Sequence, residues 1–258
     1  MRTLILTLTV FISLTMNAQN FYIAHRGDSY VAPENTVAAA KSAWKAGADA
    51  VEIDVHLTKD NRVMVIHDSD TKRTCSGKKN LEVAKTPSVL LRDLDAGIWK
   101  GAEFKGEKIP FLNEIIETVP EGKILVVEVK CGTEIIPLLQ RIMEKTPKRG
   151  QIVFICFDWK TIVELKKTFP DNNCYWLSSS KTGLAKKIKE AAEAGLQGVN
   201  LQSKIIDEET MAVAKEHKME VLAWTVDDPA EAKRISLLGV SKITTNRPAW
   251  LKEELEKL

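Results

Sequence analysis

From residue 21 onward, apolar runs of four to seven residues alternate with stretches whose apolar positions recur every three or four residues. The runs predict strands at residues 21–24, 50–55, 124–129, 152–157, 173–177, 198–201, 221–225 and 241–244. The helical periods predict helices at about 34–46, 112–118, 134–144, 159–168, 181–194, 207–217, 229–238 and 249–257. Strands that each lead into a helix favour a closed α/β barrel of the (β/α)8, or TIM, type. A chain of 258 residues suits one such barrel, which takes about 250. An open doubly wound sheet is the alternative, but no glycine-rich dinucleotide fingerprint follows any strand.

Two segments break the rhythm. Residues 68–109 contain Gly77, Pro87, Gly97, Gly101 and Gly106 among many lysines. That is too long for an ordinary connection, and predicts an insertion beside the site. At the other end, Met1-Arg2 precedes an apolar run to Leu14, and no acidic residue occurs before Asp28. This predicts a signal peptide over residues 1–19, cleaved near Ala18, leaving a domain of residues 20–258 that is exported to the periplasm or medium. The run is shorter than the roughly 20 residues of a membrane-spanning helix. An uncleaved anchor is the competing reading, because Met16 is large for a cleavage site.

Composition narrows the partners. Lys and Arg number 37 against 35 Asp and Glu, a net charge of +2, so no basic field recommends nucleic acid. The four cysteines, Cys75, Cys131, Cys156 and Cys174, have no CxxC spacing. They predict no zinc or redox motif, and Cys131 and Cys156 read as buried free thiols.

Charge appears where a purely structural barrel has no use for it. In Val51-Glu52-Ile53-Asp54-Val55-His56 the strand period puts Glu52, Asp54 and His56 on one face, and in Val127-Glu128-Val129-Lys130 it pairs Glu128 with Lys130. With the aliphatic faces against the outer helices, Glu52, Asp54 and Glu128 converge inside the barrel mouth. Three carboxylates there call for a cation. Oxygen ligands point to one divalent ion, Ca2+ or Mg2+, and His56 nearby leaves Mn2+ or Zn2+ open. A structural network with Lys130 and Arg26 is the other reading. The first strand ends in His25-Arg26-Gly27-Asp28, and the run 63–66 delivers His67-Asp68. Arg26 suits a phosphate, and two imidazoles beside a metal suit acid–base work on a phosphate ester. His217, in a helix end rich in Lys and Glu, reads as surface.

In these blocks the chain resembles the glycerophosphodiester phosphodiesterase family. The likeness runs through Ala24-His25-Arg26-Gly27, Ala32-Pro33-Glu34-Asn35-Thr36, residues 47–55, Leu57-Thr58-Lys59-Asp60, His67-Asp68, Arg73-Thr74 and Gly77. It continues in Ile109-Pro110-Phe111-Leu112, Val127-Glu128-Val129-Lys130 and Ala223-Trp224-Thr225-Val226. The resemblance implies His25 and His67 as the acid–base pair, and Glu52, Asp54 and Glu128 as metal ligands. It implies Arg26 and Lys130 as phosphate contacts, Glu34 in the polar shell of the first histidine, and Trp224 as the aromatic against glycerol. The implied reaction splits a small glycerophosphodiester into glycerol 3-phosphate and an alcohol, with the glycerol hydroxyl as internal nucleophile. Two departures stand out: Cys156-Phe157 where the family often has Ser-Phe, and Asn246 where it often has Asp. Neither is expected to touch a ligand or catalyst.

Rival readings use the same residues. A phospholipase-like activity on another head group would need an exposed apolar loop, for which Ile98-Trp99 and Phe104 are the candidates. A silent binding protein would have no need of both histidines and all three carboxylates. Oligomeric state is not encoded in any of these signals.

Overall fold

In the computed structural model, residues 20–76 and 80–257 are described. The expected leader and Gly77 lie outside them. Parallel strands β1 (Phe21–Ala24), β2 (Ala50–Leu57), β4 (Ile124–Val129), β5 (Ile152–Cys156), β6 (Cys174–Ser178), β7 (Gly198–Gln202), β8 (Glu220–Trp224) and β9 (Lys242–Thr245) follow one another around a cylinder. The β1–β2 and β1–β9 pairings close it. Helices α1 (Val37–Lys45), α3 (Leu112–Thr118), α4 (Ile136–Lys145), α5 (Trp159–Thr168), α6 (Leu184–Glu193), α7 (Glu208–Glu216), α8 (Pro229–Leu237) and α9 (Pro248–Glu256) fill the connections. The fold is the TIM barrel that the sequence pattern predicts.

Strand alternation sorts the side chains into two cores. Val51, Ile53 and Val55 of β2 and Leu125, Val127 and Val129 of β4 face outward into the large cluster under the helices. Their alternates, Ala50 and Val126 with Ile23, Ile155, Tyr175, Leu177 and Leu222, fill the cylinder. The lower end of that filling is polar but paired. Glu220 Oε2 accepts from the Tyr175 hydroxyl and from Lys242 Nζ, both at 2.6 Å.

The barrel strands carry one addition that the sequence reading lacks. The run after β2 turns back as an antiparallel strand, β3 (Val63–Val65), which pairs Val55 with Val65. The chain then makes a long excursion before α3. It includes a short helix, α2 (Ser88–Arg92), and packs a small core of Met64, Ile66, Val83, Leu91, Ala96 and Ile109.

Helix α1 begins later than the apolar period suggests. Thr36 caps it, its hydroxyl accepting from Ala39 N at 3.1 Å, and Asn35 sits at φ 58°. Residues 34 and 35 therefore belong to the loop above the barrel. All four cysteines are free; Cys156 is buried and Cys131 half-buried. No helix among the described residues is long and apolar enough to cross a membrane.

Candidate active site

The end of β1 turns abruptly. Arg26 has φ 57° and Gly27 φ 81°, and a Cβ on Gly27 would lie 2.6 Å from that of Ala39, so only glycine fits under α1. A non-glycine residue in the left-handed region is strained, and such strain gathers at functional sites. Here Arg26 N donates to Glu52 Oε2 at 2.8 Å, which ties the turn to the carboxylates of β2.

Glu52, Asp54 and Glu128 lie on neighbouring strands in register, Asp54 opposite Glu128. Each offers an oxygen within 4.8 Å of the others', and they are 2%, 1% and 9% exposed. Burial, then repulsion from Asp54, pushes Glu128 up to about 7 and raises Glu52 well above the carboxylate range. Burial acts on Asp54 too, but Lys130 and Arg26 hold it below its ordinary value. The cations of the structural-network reading are present. Lys130 Nζ donates to Glu128 Oε1 at 2.7 Å and lies 3.6 Å from Asp54 Oδ1, and Arg26 Nε is 3.6 Å from Asp54 Oδ2. They do not complete the site, because Glu52 Oε1 and Asp54 Oδ1 remain buried with no hydrogen-bond partner. Such atoms are rare in folded proteins, and their all-oxygen donor set fits a hard divalent ion. His56 takes no part in it. Its Nε2 lies 3.0 Å from the His67 backbone oxygen, and the group of possible ligands is Glu52, Asp54 and Glu128.

Each of the two expected acid–base histidines has an acceptor behind its Nδ1. Asn246 Oδ1 is 2.7 Å from His25 Nδ1. Asn246 Nδ2 donates to Asp227 at 2.5 Å, which fixes the amide orientation. The His25 hydrogen therefore sits on Nδ1 and leaves a lone pair on Nε2. Burial, reinforced by the Arg26 cation, pushes His25 down to about 4. His67 Nδ1 faces Asp68 Oδ1 at 2.7 Å, and its Nε2 is 3.2 Å from Lys130 Nζ. Arg73 binds Asp68 and Glu34 together, through bonds of 2.7 to 3.0 Å. Its hydrogen bonds, helped by that from His67, hold Asp68 far below the carboxylate range.

Glu34 lies against Arg26, at 2.9 Å, and Arg73, where it orients guanidinium groups, and its charge acts on His25. One sequence expectation changes here. Asn246, the departure expected to touch no catalyst, is the partner of His25. The other departure, Cys156, is buried and its Sγ donates to the Val129 backbone oxygen at 3.0 Å; its neighbour Phe157 stands edge-on to Trp224, with ring centroids 5.5 Å apart, and 6.0 Å from Lys130 Nζ. Trp224 ends β8 at the mouth, its Nε1 donating to the Asn200 backbone oxygen at 3.1 Å. Asn35 is a further support: it exchanges two hydrogen bonds with Asp54, at 2.8 and 3.0 Å. His217, the C-cap of α7, is half-buried and away from these groups.

A TIM barrel with buried carboxylates, two anchored imidazoles and two cations at the carboxyl ends of its strands defines an enzyme of ester hydrolysis with an anionic substrate. Comparison with known proteins makes this specific. Residues 25–250 match the model of the glycerophosphoryl diester phosphodiesterase family, and the chain belongs to that family as a phosphodiester hydrolase. It is 32% identical to a glycerophosphodiester phosphodiesterase of Caldanaerobacter subterraneus subsp. tengcongensis, over 89% of this chain and 95% of that one. It is 26% identical to lysophospholipase D of Rattus norvegicus, over 92% of this chain and 86% of that one. Among solved structures, an Oleispira antarctica phosphodiesterase in complex with the product sn-glycerol-3-phosphate superposes with a TM-score of 0.84. Its identity is 29%, over 91% of this chain and 96% of that one.

Proposed function

We propose that the enzyme hydrolyses glycerophosphodiesters to glycerol 3-phosphate and an alcohol, by two-histidine acid–base catalysis that depends on a divalent ion. The observation that carries this reading is the pair of orphaned carboxylate oxygens, Glu52 Oε1 and Asp54 Oδ1, inside a ring of phosphate-binding and acid–base groups. Glu52, Asp54 and Glu128 would hold Ca2+ or Mg2+, which when bound offsets negative charge on a phosphoryl oxygen. Arg26, oriented by Glu34, and Lys130 supply further positive charge to the phosphate. One imidazole accepts the proton of the attacking glycerol hydroxyl, and the other returns a proton to the departing alkoxide. Water then opens the cyclic phosphate by the reverse transfers. The Asn246 anchor leaves Nε2 of His25 to the substrate, Asp68 orients His67 with its Nε2 beside Lys130 Nζ at 3.2 Å, and Trp224 offers a flat apolar face to the glycerol carbons.

The test is release of glycerol 3-phosphate from glycerophosphocholine and glycerophosphoethanolamine, with EDTA and then with Ca2+ or Mg2+ restored. Loss on chelation and recovery with one ion is expected; turnover indifferent to EDTA, in protein shown to be free of metal, would remove the ion from the mechanism. A second reading, lysophospholipid hydrolysis at the same centre, is favoured by exposed apolar side chains on the excursion. Val89 is 64% exposed, Leu90 50% and Trp99 38%. Choline release from lysophosphatidylcholine decides it. The predicted leader is consistent with export, which fractionation of cells producing the full chain would test.

A further inference from the structure

Among the described residues four buried side-chain atoms lack a hydrogen-bond partner: Arg26 Nε, Glu52 Oε1, Asp54 Oδ1 and Asn200 Oδ1. The first three lie together at the proposed phosphate and metal site. The fourth does not. Asn200 is on β7, which stands across the barrel from β2 in the strand order. Its register neighbours, Leu177 on β6 and Leu222 on β8, both point into the cylinder, and residues paired in parallel strands share a face. Asn200 therefore points inward too, and is 1% exposed. Two residues further toward the mouth, Gln202 pairs with Trp224, so the orphaned amide oxygen lies one pleat beneath the indole.

We propose that Asn200 is a specificity-determining residue for glycerol, its Oδ1 accepting a hydrogen bond from the terminal hydroxyl of the substrate. An unpaired buried acceptor is costly unless a ligand completes it, and only a donor can complete an amide oxygen. The phosphodiester anion carries no proton, and a head-group donor such as an ethanolamine ammonium is not common to the substrates, whereas the glycerol hydroxyls are. The glycerol hydroxyl next to the phosphate gives its proton to an imidazole in the proposed reaction, which leaves the terminal hydroxyl. Substrate then lies across the barrel, with phosphate toward β2 and β4 and the glycerol end toward β7 and β8. This inference rests on the phosphodiesterase reading above.

The test compares glycerophosphocholine with the phosphocholine diester of propane-1,2-diol, which keeps the attacking hydroxyl and lacks only the terminal one. The wild-type enzyme should prefer glycerophosphocholine in kcat/KM by about tenfold or more, since a site built around a hydroxyl rejects its absence. Asn200→Leu should bring the two substrates to within about twofold by slowing only the first. It should melt no lower than wild type, because it removes an unsatisfied buried group. Asn200→Ala, which removes the acceptor, should give the same levelling if the leucine variant does not fold. A preference that survives both substitutions overturns the proposal, as does an equal loss on both substrates with a lowered Tm, the mark of a structural asparagine. A wild-type enzyme inactive on both substrates instead overturns the reading of the site, and with it this inference.

Discussion

At the level of single residues, the proposed chemistry depends on how the two imidazoles are held. His25→Ala and His67→Ala should each lower kcat by roughly 10²- to 10⁴-fold, the scale of a positioned acid or base. Near-normal turnover in either would remove that residue from the mechanism. Asn246→Ala leaves His25 in place but frees its ring, and should cost roughly 10- to 100-fold in kcat. Metal affinity, followed by calorimetric titration, should not change. The histidines and the three carboxylates are legible in the sequence because each ends or interrupts an apolar strand, where period two assigns it a face. Asn246 and Asn35 are not legible as supports. Asn246 lies 221 residues from His25, and Asn35 reads as a helical residue until Thr36 is seen to cap α1. His56 fails for a related reason: a shared face gives direction, but whether the ring turns to a metal or to the His67 carbonyl depends on where the returning strand lies.

Between elements, Arg73 is the tie that fastens the excursion to the loop after β1, by holding Asp68 and Glu34 at once. Arg73 is nearly half-exposed, so its ion pairs contribute on the order of 1 kcal/mol or less to global stability. Arg73→Ala should therefore change Tm little, yet lower kcat/KM and quicken amide exchange around residues 67–76. Unchanged exchange there would show that other contacts order the loop. The barrel strands and outer helices are readable because their apolar periods are long. Strand β3 is not, since a three-residue strand is too short for alternation to declare itself. The excursion reads as an irregular loop because its small core joins residues as far apart as Met64 and Ile109.

For the molecule as a whole, the carboxylate cluster, as the proposed metal site, would couple metal, protons and stability. A carboxyl raised from its ordinary 4.5 to about 7, as burial raises Glu128, stabilises the metal-free fold fully below pH 4.5. That contribution is lost as pH rises through 7, because the native state then holds more protons than the unfolded one. Bound Ca2+ or Mg2+ should relieve the cost and must compete with those protons. The rise in Tm on adding the ion to EDTA-treated protein should therefore grow from pH 5 to pH 8. A rise independent of pH would place the ion elsewhere.

Closure of the cylinder at β1 and β9 also sets when the enzyme can first act. His25 is among the first described residues to leave the ribosome, and the asparagine that orients it is among the last. A nascent chain carries both histidines and all three carboxylates long before it can turn over substrate. Restraint of activity until β9 and Asn246 have been made thus follows from topology.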